Sequence, residues 1–279
     1  MAADKSLLAF EREVNQPDHD ISLARAALTL AGFEFPELSV TSYLGRFDAL
    51  AASAKAAVRD KELAPIALAA FLFEELGFSG NENDYGDPRN SFLNQVMERR
   101  LGIPITLSVI YLEVAQRLGL RAQGVGLPGH FIVCVDVSEE TRQEFVYLDP
   151  FHQGRLLSED DCRAHVSRVT HDKLPFDPAF LNPVNKRYIL TRMLNNLKGI
   201  YGAQQDLPRA SHVIERLLVL HPNDATEMRN LGLVYGNTGR RHQAVQTLQR
   251  YLSLAPNAPD RESIEQYMNA LIANVSRLN

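Results

Sequence analysis

Residues 85–151 read YGDPRNSFLNQVMERRLGIPITLSVIYLEVAQRLGLRAQGVGLPGHFIVCVDVSEETRQEFVYLDPF, and this stretch decides the fold. Residues 105–118 are apolar on one side and follow Pro104, which suits the first turn of a helix. Segments rich in Val, Phe and Ile come next, separated by a Pro-Gly turn and by the polar segment SEETRQE. They lie at 122–127, 131–137 and 145–148. This order predicts one buried helix followed by at least three antiparallel strands.

A His and an Asp stand at the ends of the last two predicted strands. His130 begins one strand and Asp149 ends the next. In an antiparallel hairpin these two ends lie side by side, so we expect the side chains to touch. An imidazole held by a carboxylate is the general base of acyl-transfer sites. The alternative is a His that bonds within its turn and an Asp that only ends a strand.

The composition bounds the class of protein. The length of 279 residues suggests two domains, and 45% hydrophobic with 23% charged residues is ordinary for a soluble globular chain. A net charge of −5 gives no basic surface for nucleic acid or an anionic membrane. Two cysteines cannot build a disulfide framework, and the charged N-terminus lacks a signal or spanning segment. We predict a cytoplasmic protein without a cofactor, a nucleic-acid partner or a membrane segment, and leave its oligomeric state open.

The chain outside this core is predicted to be helical. Residues 1–76 carry apolar residues at helical spacing, and residues 173–185 carry three prolines and mark a linker. After the linker the sequence repeats with a period of 34 residues, which is the tetratricopeptide period. The matched pairs are Leu197 and Leu231, Tyr201 and Tyr235, Ala210 and Ala244, Ile214 and Leu248, and Pro222 and Pro256.

The domain organisation follows from these patterns. We predict an α+β domain over residues 1–172, with a helical part at 1–76 and the core at 85–151. An α-helical repeat domain follows over residues 186–279. Its repeats span about 191–224 and 225–258, and a capping helix spans 261–278.

Several sequence blocks resemble a known family. RLGLRAQGVG, GHFIVCVD and FVYLDP resemble the helix end, the His strand and the Asp strand of transglutaminase-like, papain-like cores. More closely, YGDPRNSFLNQVMERRLGIPITLS, LPGHF and LDPF, followed by tetratricopeptide repeats, resemble the bacterial SirB-type family over most of the chain. The resemblance implies a fold more than a reaction.

The resemblance also implies that a nucleophile is missing. Active members of the superfamily carry a Cys at the start of the core helix, which corresponds to residues 104–106, and no Cys stands there. Cys134 lies about 13 Å along the strand from His130, too far for a hydrogen bond, and Cys162 lies outside the pattern. Both cysteines are predicted to be packing residues. Thr106 is the candidate substitute nucleophile, and the alternative is that its hydroxyl bonds to the helix backbone.

The loop before the core, GFSGNENDYGDPR, carries acidic residues without the ligand spacing of a calcium loop. We interpret Asp87, like Glu82 and Asp84, as a solvated loop charge. Asn90 and Asn94 are predicted to bridge this loop to the site.

Basic residues supply candidate binding groups. Arg100 could hold an anion near His130, or pair with an acid nearby. In the repeats, family groove positions fall on Arg192, Asn195 and Arg229, which could hold a peptide carboxylate. The alternative is that this repeat surface packs on the first domain.

Three functional hypotheses follow. We favour a non-catalytic pseudoenzyme that binds a protein or peptide through the repeats or the His130 cleft. The alternative is a hydrolase or acyl-transfer enzyme that uses His130 and Asp149 with a water or Thr106 as nucleophile. A metal hydrolase using His130, Asp149 and His152 is the third hypothesis, but the paired ligand spacing of zinc sites is absent, so no metal is predicted.

Overall fold

The computed structural model describes residues 5–58, 63–139 and 144–276. The chain forms two compact units, one of Asn15–Met193 and one of Met1–Val14 with Leu194–Asn279. This division differs from the predicted domain boundaries, since residues 1–14 group with the repeats and residues 173–193 with the core. The functional domain boundaries remain a prediction.

The described elements mix helices with two small sheets, which confirms the α+β class. The helices are α1 (Lys5–Val14), α2 (Leu23–Leu30), α3 (Val40–Ala54), α4 (Ala64–Ala69, continued by a π-helical turn Ala70–Glu75), α5 (Leu93–Arg99), α6 (Pro104–Arg117), α7 (Glu159–Thr170), α8 (Lys186–Ala203), α9 (Leu207–Leu220), α10 (Ala225–Asn237), α11 (Arg241–Leu254) and α12 (Arg261–Ser276). The strands are β1 (Ser79–Gly80), β2 (Leu101–Gly102), β3 (Arg121–Val125), β4 (Ile132–Asp136), β5 (Phe145–Asp149) and β6 (Arg155–Leu157).

Helix α6 is the centre of the unit Asn15–Met193. Residues 104–115 are all buried, and the helix packs against α2, α3, β3 and β4. Pro104 stands in its first turn, where the missing N–H costs nothing. Glu113 is the buried acid of this helix. It accepts from the N–H of Ala24 at 2.8 Å and pairs with Arg117 at 2.6 Å, so it ties α6 to the start of α2.

The larger sheet has the order β3-β4-β5-β6, antiparallel throughout. The register places Val133 opposite Leu148, so the start of β4 and the end of β5 lie together. The predicted antiparallel arrangement is confirmed, and β6 is an additional strand. Residues 140–143 of the predicted hairpin lie outside the described residues. A short parallel pair, β1 with β2, joins the loop before the core to the start of α6.

Serine side chains cap α3 and α7. The Ser39 side chain accepts from the N–H of Ser42 at 3.3 Å, and the Ser158 side chain accepts from the N–H of Asp161 at 3.1 Å. Asp20 ends a 3-10 turn rather than capping a helix, and α2 begins after Ser22.

The repeat unit is built from paired helices with the predicted period. Helix α10 approaches α11 closely at Gly232, where an added Cβ would lie 2.6 Å from the Leu248 side chain. Helix α12 stands at the predicted capping position, while residues 277–278 of that prediction lie outside the described residues. Within the described part of the chain, no helix combines the length and apolar composition needed to cross a bilayer.

Glu215 is a partly buried acid of the repeat unit, with its side chain 11% exposed and several partners. It accepts from the Tyr235 hydroxyl at 2.7 Å and lies 3.5 Å from Arg240. Burial alone would raise the pKa of this carboxyl, but His212 and the Tyr235 hydroxyl outweigh burial and hold the pKa below its ordinary value. Ionised Glu215 therefore stabilises the folded state above the unfolded pKa, and the contribution is lost as the pH falls through the folded pKa.

We expect Glu215→Gln to lower the free energy of unfolding by about 1–2 kcal/mol at pH 7, because bonds to a charged acceptor are weakened. The deficit should shrink once the pH falls below the lowered pKa of folded Glu215, since the wild-type side chain is then protonated too. Urea unfolding followed by circular dichroism at pH 7, and at a pH below that lowered pKa, measures both values. An equal deficit at the two pH values would contradict this account.

Candidate functional site

A tight turn places His130 at the start of β4. The N–H of His130 donates to the carbonyl of Leu127 at 3.0 Å, and Gly129 has φ +70°, a backbone conformation that favours glycine. Asp149 ends β5 on the adjacent strand. His130 Nε2 lies 2.8 Å from Asp149 Oδ2, so the predicted contact is present. Both side chains are buried, at 6% and 5% exposure.

Asp149 also binds a second histidine. Its Oδ2 lies 2.7 Å from His152 Nδ1, and its Oδ1 accepts from the N–H of Phe151 at 3.1 Å and of His152 at 3.4 Å. Burial by itself would raise the pKa of Asp149, but the bonds from His130 and His152 outweigh burial and hold the pKa below its usual value. The carboxylate is therefore ionised at neutral pH and orders the turn that follows β5.

The shared carboxylate determines the tautomers of both rings. An ionised carboxylate only accepts hydrogen bonds, so His130 Nε2 and His152 Nδ1 carry the hydrogens. In the neutral rings, His130 Nδ1 and His152 Nε2 then hold the lone pairs. This is the arrangement that a general base requires.

Aromatic rings surround His130. The Phe151 ring lies 6.3 Å from the His130 ring, and Tyr85 packs edge-on against Phe151 at 6.0 Å. Phe151 rests on Gly80, where an added Cβ would lie 2.6 Å from the ring. The His152 side chain is 50% exposed, so the cluster opens to solvent on that side.

His165 on α7 is a neighbour that sequence patterns did not identify. Its ring lies 4.9 Å from the His130 ring, tilted by 33°. Burial lowers the pKa of His165 to about 4, and the charges of His130 and Arg168 add to this effect. His165 is therefore a neutral packing partner of His130 at pH 7. No local sequence pattern indicated which face of α7 meets His130.

Arg192, which was predicted to line the groove of the repeats, lies instead beside the turn that carries His130. Its guanidinium donates to the carbonyl of Leu127 at 3.1 Å and lies 5.7 Å from the Phe131 ring centroid. It thereby supports the turn that carries His130. Tyr188 stands one helical turn earlier and packs on Gly126, where an added Cβ would lie 2.8 Å from its ring. The spacing of four residues was the available signal that both face the same element.

The other predicted groove residues lie on the repeat helices. Asn195 is exposed on α8. Arg229 on α10 is ion-paired with Asp260, which also accepts from the Tyr251 hydroxyl at 2.6 Å. A peptide carboxylate at Arg229 would have to compete with Asp260, and the peptide role of these residues stays a prediction.

Thr106 is fully buried in the first turn of α6. Its hydroxyl oxygen accepts from the N–H of Ile103 at 3.1 Å and donates to the carbonyl of Asn90 at 2.7 Å. The hydroxyl hydrogen is thus committed to a backbone oxygen. This arrangement favours the structural alternative for Thr106 over a nucleophilic role.

We expect Thr106→Val to lower the free energy of unfolding by about 1–3 kcal/mol, because it leaves a buried N–H and a buried carbonyl unpaired. Thr106→Ser should retain most of the stability, since it keeps the hydroxyl. Thr170→Val, which removes a hydroxyl bonded to the Val166 carbonyl on half-buried α7, is the matched control. Equal stability of Thr106→Val and wild type in urea would contradict this role.

The asparagines order the loop before the core. Asn90 Nδ2 donates to the carbonyl of Asp84 at 2.7 Å, and its Oδ1 accepts from Asn81 at 3.1 Å. Asn94 is buried on α5, and its Oδ1 has no hydrogen-bond partner among the described residues.

Arg100, the residue predicted to hold an anion, already donates a hydrogen bond to the carbonyl of Leu76. An anion bound by Arg100 would therefore have to compete with that carbonyl.

Asp87 corrects one interpretation of this loop. It was predicted to be a solvated charge, yet it is buried and pairs with Arg89 at 2.8 Å and Arg99 at 3.1 Å. Burial would raise the pKa of Asp87, but the Arg89 bonds and the Arg99 charge hold it below its usual value. The prediction was wrong because Arg99 reaches the acid from a different element.

Both cysteines are buried in one apolar cluster with Val125, Leu127 and Ile132. Burial raises the pKa of Cys134 and of Cys162 to about 11. A thiol of this pKa is almost entirely protonated at neutral pH and is a poor nucleophile. These properties support the packing role predicted for both.

We expect iodoacetamide to label the native chain at pH 8 more than ~100-fold more slowly than the urea-unfolded chain, because thiolate is scarce and shielded. Mass spectrometry of quenched samples measures the labelling of each cysteine. Rapid native labelling of Cys134 would contradict the burial of that thiol.

One further property of the cluster concerns metals. The ligand atoms of His130, Asp149 and His152 all lie within 4.8 Å of one another. The sequence predicted no metal here, because it lacks the tight paired ligand spacing that is typical of zinc sites. The folded hairpin and its turn bring these donors together regardless of spacing.

Comparisons with known proteins match both halves of the chain. The model of the transglutaminase-like superfamily matches residues 41–195, and a tetratricopeptide-repeat model matches residues 197–269. A UPF0162 protein of Xylella fastidiosa is 37% identical over 257 residues, covering 90% of each chain. Protein SirB1 of Salmonella typhimurium is 24% identical over 238 residues, covering 85% of this chain and 87% of SirB1.

A eukaryotic relative matches a shorter part. F-box only protein 21 of Homo sapiens is 30% identical over 155 residues, which is 54% of this chain but 23% of that longer protein.

Proposed function

We propose that this chain, which belongs to the transglutaminase-like superfamily, is a non-catalytic protein- or peptide-binding module. With its tetratricopeptide repeats it is a SirB-type protein. The cleft around His130 serves as a recognition site in this proposal. The repeats are the alternative binding surface in this proposal. Tetratricopeptide repeats commonly present extended binding surfaces.

The observation that carries the proposal is the start of helix α6. Pro104 stands in the first turn, and the Thr106 hydroxyl is bonded to backbone groups. Neither cysteine has a lowered pKa. A general-base pair with no activated nucleophile beside it among the described residues is better suited to binding than to acyl transfer.

The chemistry of the cleft suggests which groups it recognises. The half-exposed His152 ring offers its Nε2 lone pair to an amide N–H group, beside buried His130. Tyr85 and Phe151 offer apolar faces beside them. An extended peptide with an amide or primary amine donor and an apolar neighbour fits this set.

A peptide-display selection on the full chain, followed by calorimetry with the selected peptide, tests the proposal. We expect either His130→Ala or Arg229→Ala, according to which surface binds the peptide, to weaken binding at least ~10-fold, which is the loss of one well-placed bond at about 1.4 kcal/mol. His242→Ala on exposed α11 is the control and should bind like wild type. Failure to select any binding peptide, together with turnover of an acyl substrate, would reject the proposal.

The second candidate is a hydrolase or acyl-transfer enzyme. The 2.8 Å contact of His130 with Asp149 favours it, because a positioned general base contributes about 10²–10⁴ in rate. Water or a substrate group would then be the nucleophile. A screen of esters, amides and peptides with wild type, His130→Ala and His242→Ala tests this candidate. Activity that survives His130→Ala would rule out this mechanism.

The cytoplasm is the location we propose for this module. Cys134 and Cys162 are both free thiols, which suits a reducing compartment. Alkylation of the unfolded chain isolated from intact cells would detect two free thiols there, and a disulfide would contradict this location.

A further inference from the structure

We propose that His130, Asp149 and His152 bind one divalent transition-metal ion of the zinc class, through His130 Nε2, Asp149 Oδ2 and His152 Nδ1. The proposal rests on the meeting of two imidazoles and one carboxylate at the end of β5. It goes beyond the binding module proposed above and does not depend on it.

The distances suit a small cation. All three donor atoms lie within 4.8 Å of one another, with Asp149 Oδ2 at 2.8 Å and 2.7 Å from the two nitrogens. Zinc takes ligands at about 2.0–2.2 Å, so donor atoms around a tetrahedral ion are about 3.4 Å apart. The two short contacts therefore have to open by less than about 1 Å. Half-exposed His152 has the room for this shift.

The donor types select the class of ion. Calcium and magnesium take oxygen ligands, so two imidazole nitrogens disfavour them. Imidazole with carboxylate suits zinc, cobalt and nickel. Two histidines and one carboxylate also leave one tetrahedral position for a water, on the side where His152 reaches solvent.

Binding of the ion requires only that the hydrogens on the His130 and His152 rings move, with no additional reactant. In the hydrogen-bonded cluster, His130 Nε2–H and His152 Nδ1–H point at Asp149. An ion requires lone pairs on those two nitrogens, so each neutral ring shifts its hydrogen to the opposite nitrogen. The rings stay neutral, and the cation takes the place of the two hydrogens beside the carboxylate.

Surrounding contacts hold the donors in place. The N–H groups of Phe151 and His152 bond Asp149 Oδ1 and leave Oδ2 facing the imidazoles. The His165 ring packs against His130 at 4.9 Å. Bonds of this kind orient metal ligands in protein sites.

Calorimetric titration of the full-length, chelator-treated chain with Zn²⁺, and an absorption titration with Co²⁺, test the proposal. We expect one ion per chain, with visible Co²⁺ bands typical of nitrogen and oxygen ligands. His152→Ala and Asp149→Asn should each weaken binding at least ~10-fold. His152 is half exposed, so His152→Ala should fold normally, which circular dichroism checks.

Other histidines are the competing source of binding, because the chain has 8 histidines in all. His242→Ala is the matched control and should leave the affinity unchanged. The proposal is overturned if no ion binds, or if His152→Ala and Asp149→Asn both bind like wild type. Peptide binding is measured with chelator present, so a failed metal titration leaves the proposed recognition function to its own test.

Discussion

Replacement of Asp149 by alanine is expected to lower the free energy of unfolding by about 2–4 kcal/mol, one of the two largest losses that we predict. The change leaves the N–H groups of His130 Nε2, Phe151 and His152 without their acceptor. His130 and Phe151 are packed against each other, so water cannot simply replace the carboxylate at the buried end of the cluster.

Urea unfolding followed by far-ultraviolet circular dichroism measures this loss, since the chain has no Trp for fluorescence. Asp160→Ala on α7 is the control, because that side chain is 95% exposed and should change stability by less than ~0.5 kcal/mol. Equal stability of the Asp149 and Asp160 variants would show that Asp149 does not hold the turn. The same experiment on Asp149→Asn separates the loss of charge from the loss of acceptors.

Replacement of Glu113 by alanine is expected to cost about 2–4 kcal/mol, because it removes a buried charged acceptor and one of the two acidic partners of Arg117, which keeps Asp48. Glu113 is 3% exposed on α6. It also accepts from the N–H of Ala24 in the first turn of α2, so the change removes a helix-terminal bond at the same time.

Glu98 is the matched control for Glu113. It lies on neighbouring α5 and pairs with Arg46, but its side chain is 49% exposed. Exposed pairs contribute about 0–1 kcal/mol, so Glu98→Ala should be mild. Glu113→Gln should fall between the two, because it keeps an acceptor for Ala24. Similar losses for the Glu98 and Glu113 variants would refute the role of Glu113 as a link between helices.

The core of the fold was predictable because its signals are local. An apolar segment after Pro104 and strands with turn residues between them indicate their elements directly. The period of 34 residues indicated the repeats for the same reason. The contact of His130 with Asp149 followed from the geometry of an antiparallel hairpin.

The rest of the site depends on turns and on contacts between distant elements. His152 reaches Asp149 because the chain reverses in a 3-10 turn, and no residue periodicity describes that turn. His165 lies on α7, which follows strand β6, so its contact with His130 joins two separate elements. Arg192 was placed in the repeats by the period, yet it bonds to Leu127, 65 positions away. Local sequence patterns, which cover only a short stretch of residues, do not predict contacts between such distant positions.

The two imidazoles on Asp149 have an evolutionary consequence. His130 and His152 bond to the same oxygen, so either one alone keeps that oxygen hydrogen-bonded. If one histidine is lost, the other still donates a hydrogen bond to Asp149 Oδ2. If both are lost, that buried carboxylate oxygen is left unpaired. Substitutions at the two positions are therefore epistatic, with a double substitution worse than the sum of its parts. During divergence either histidine can change first, but the second change is costly whichever histidine is lost first.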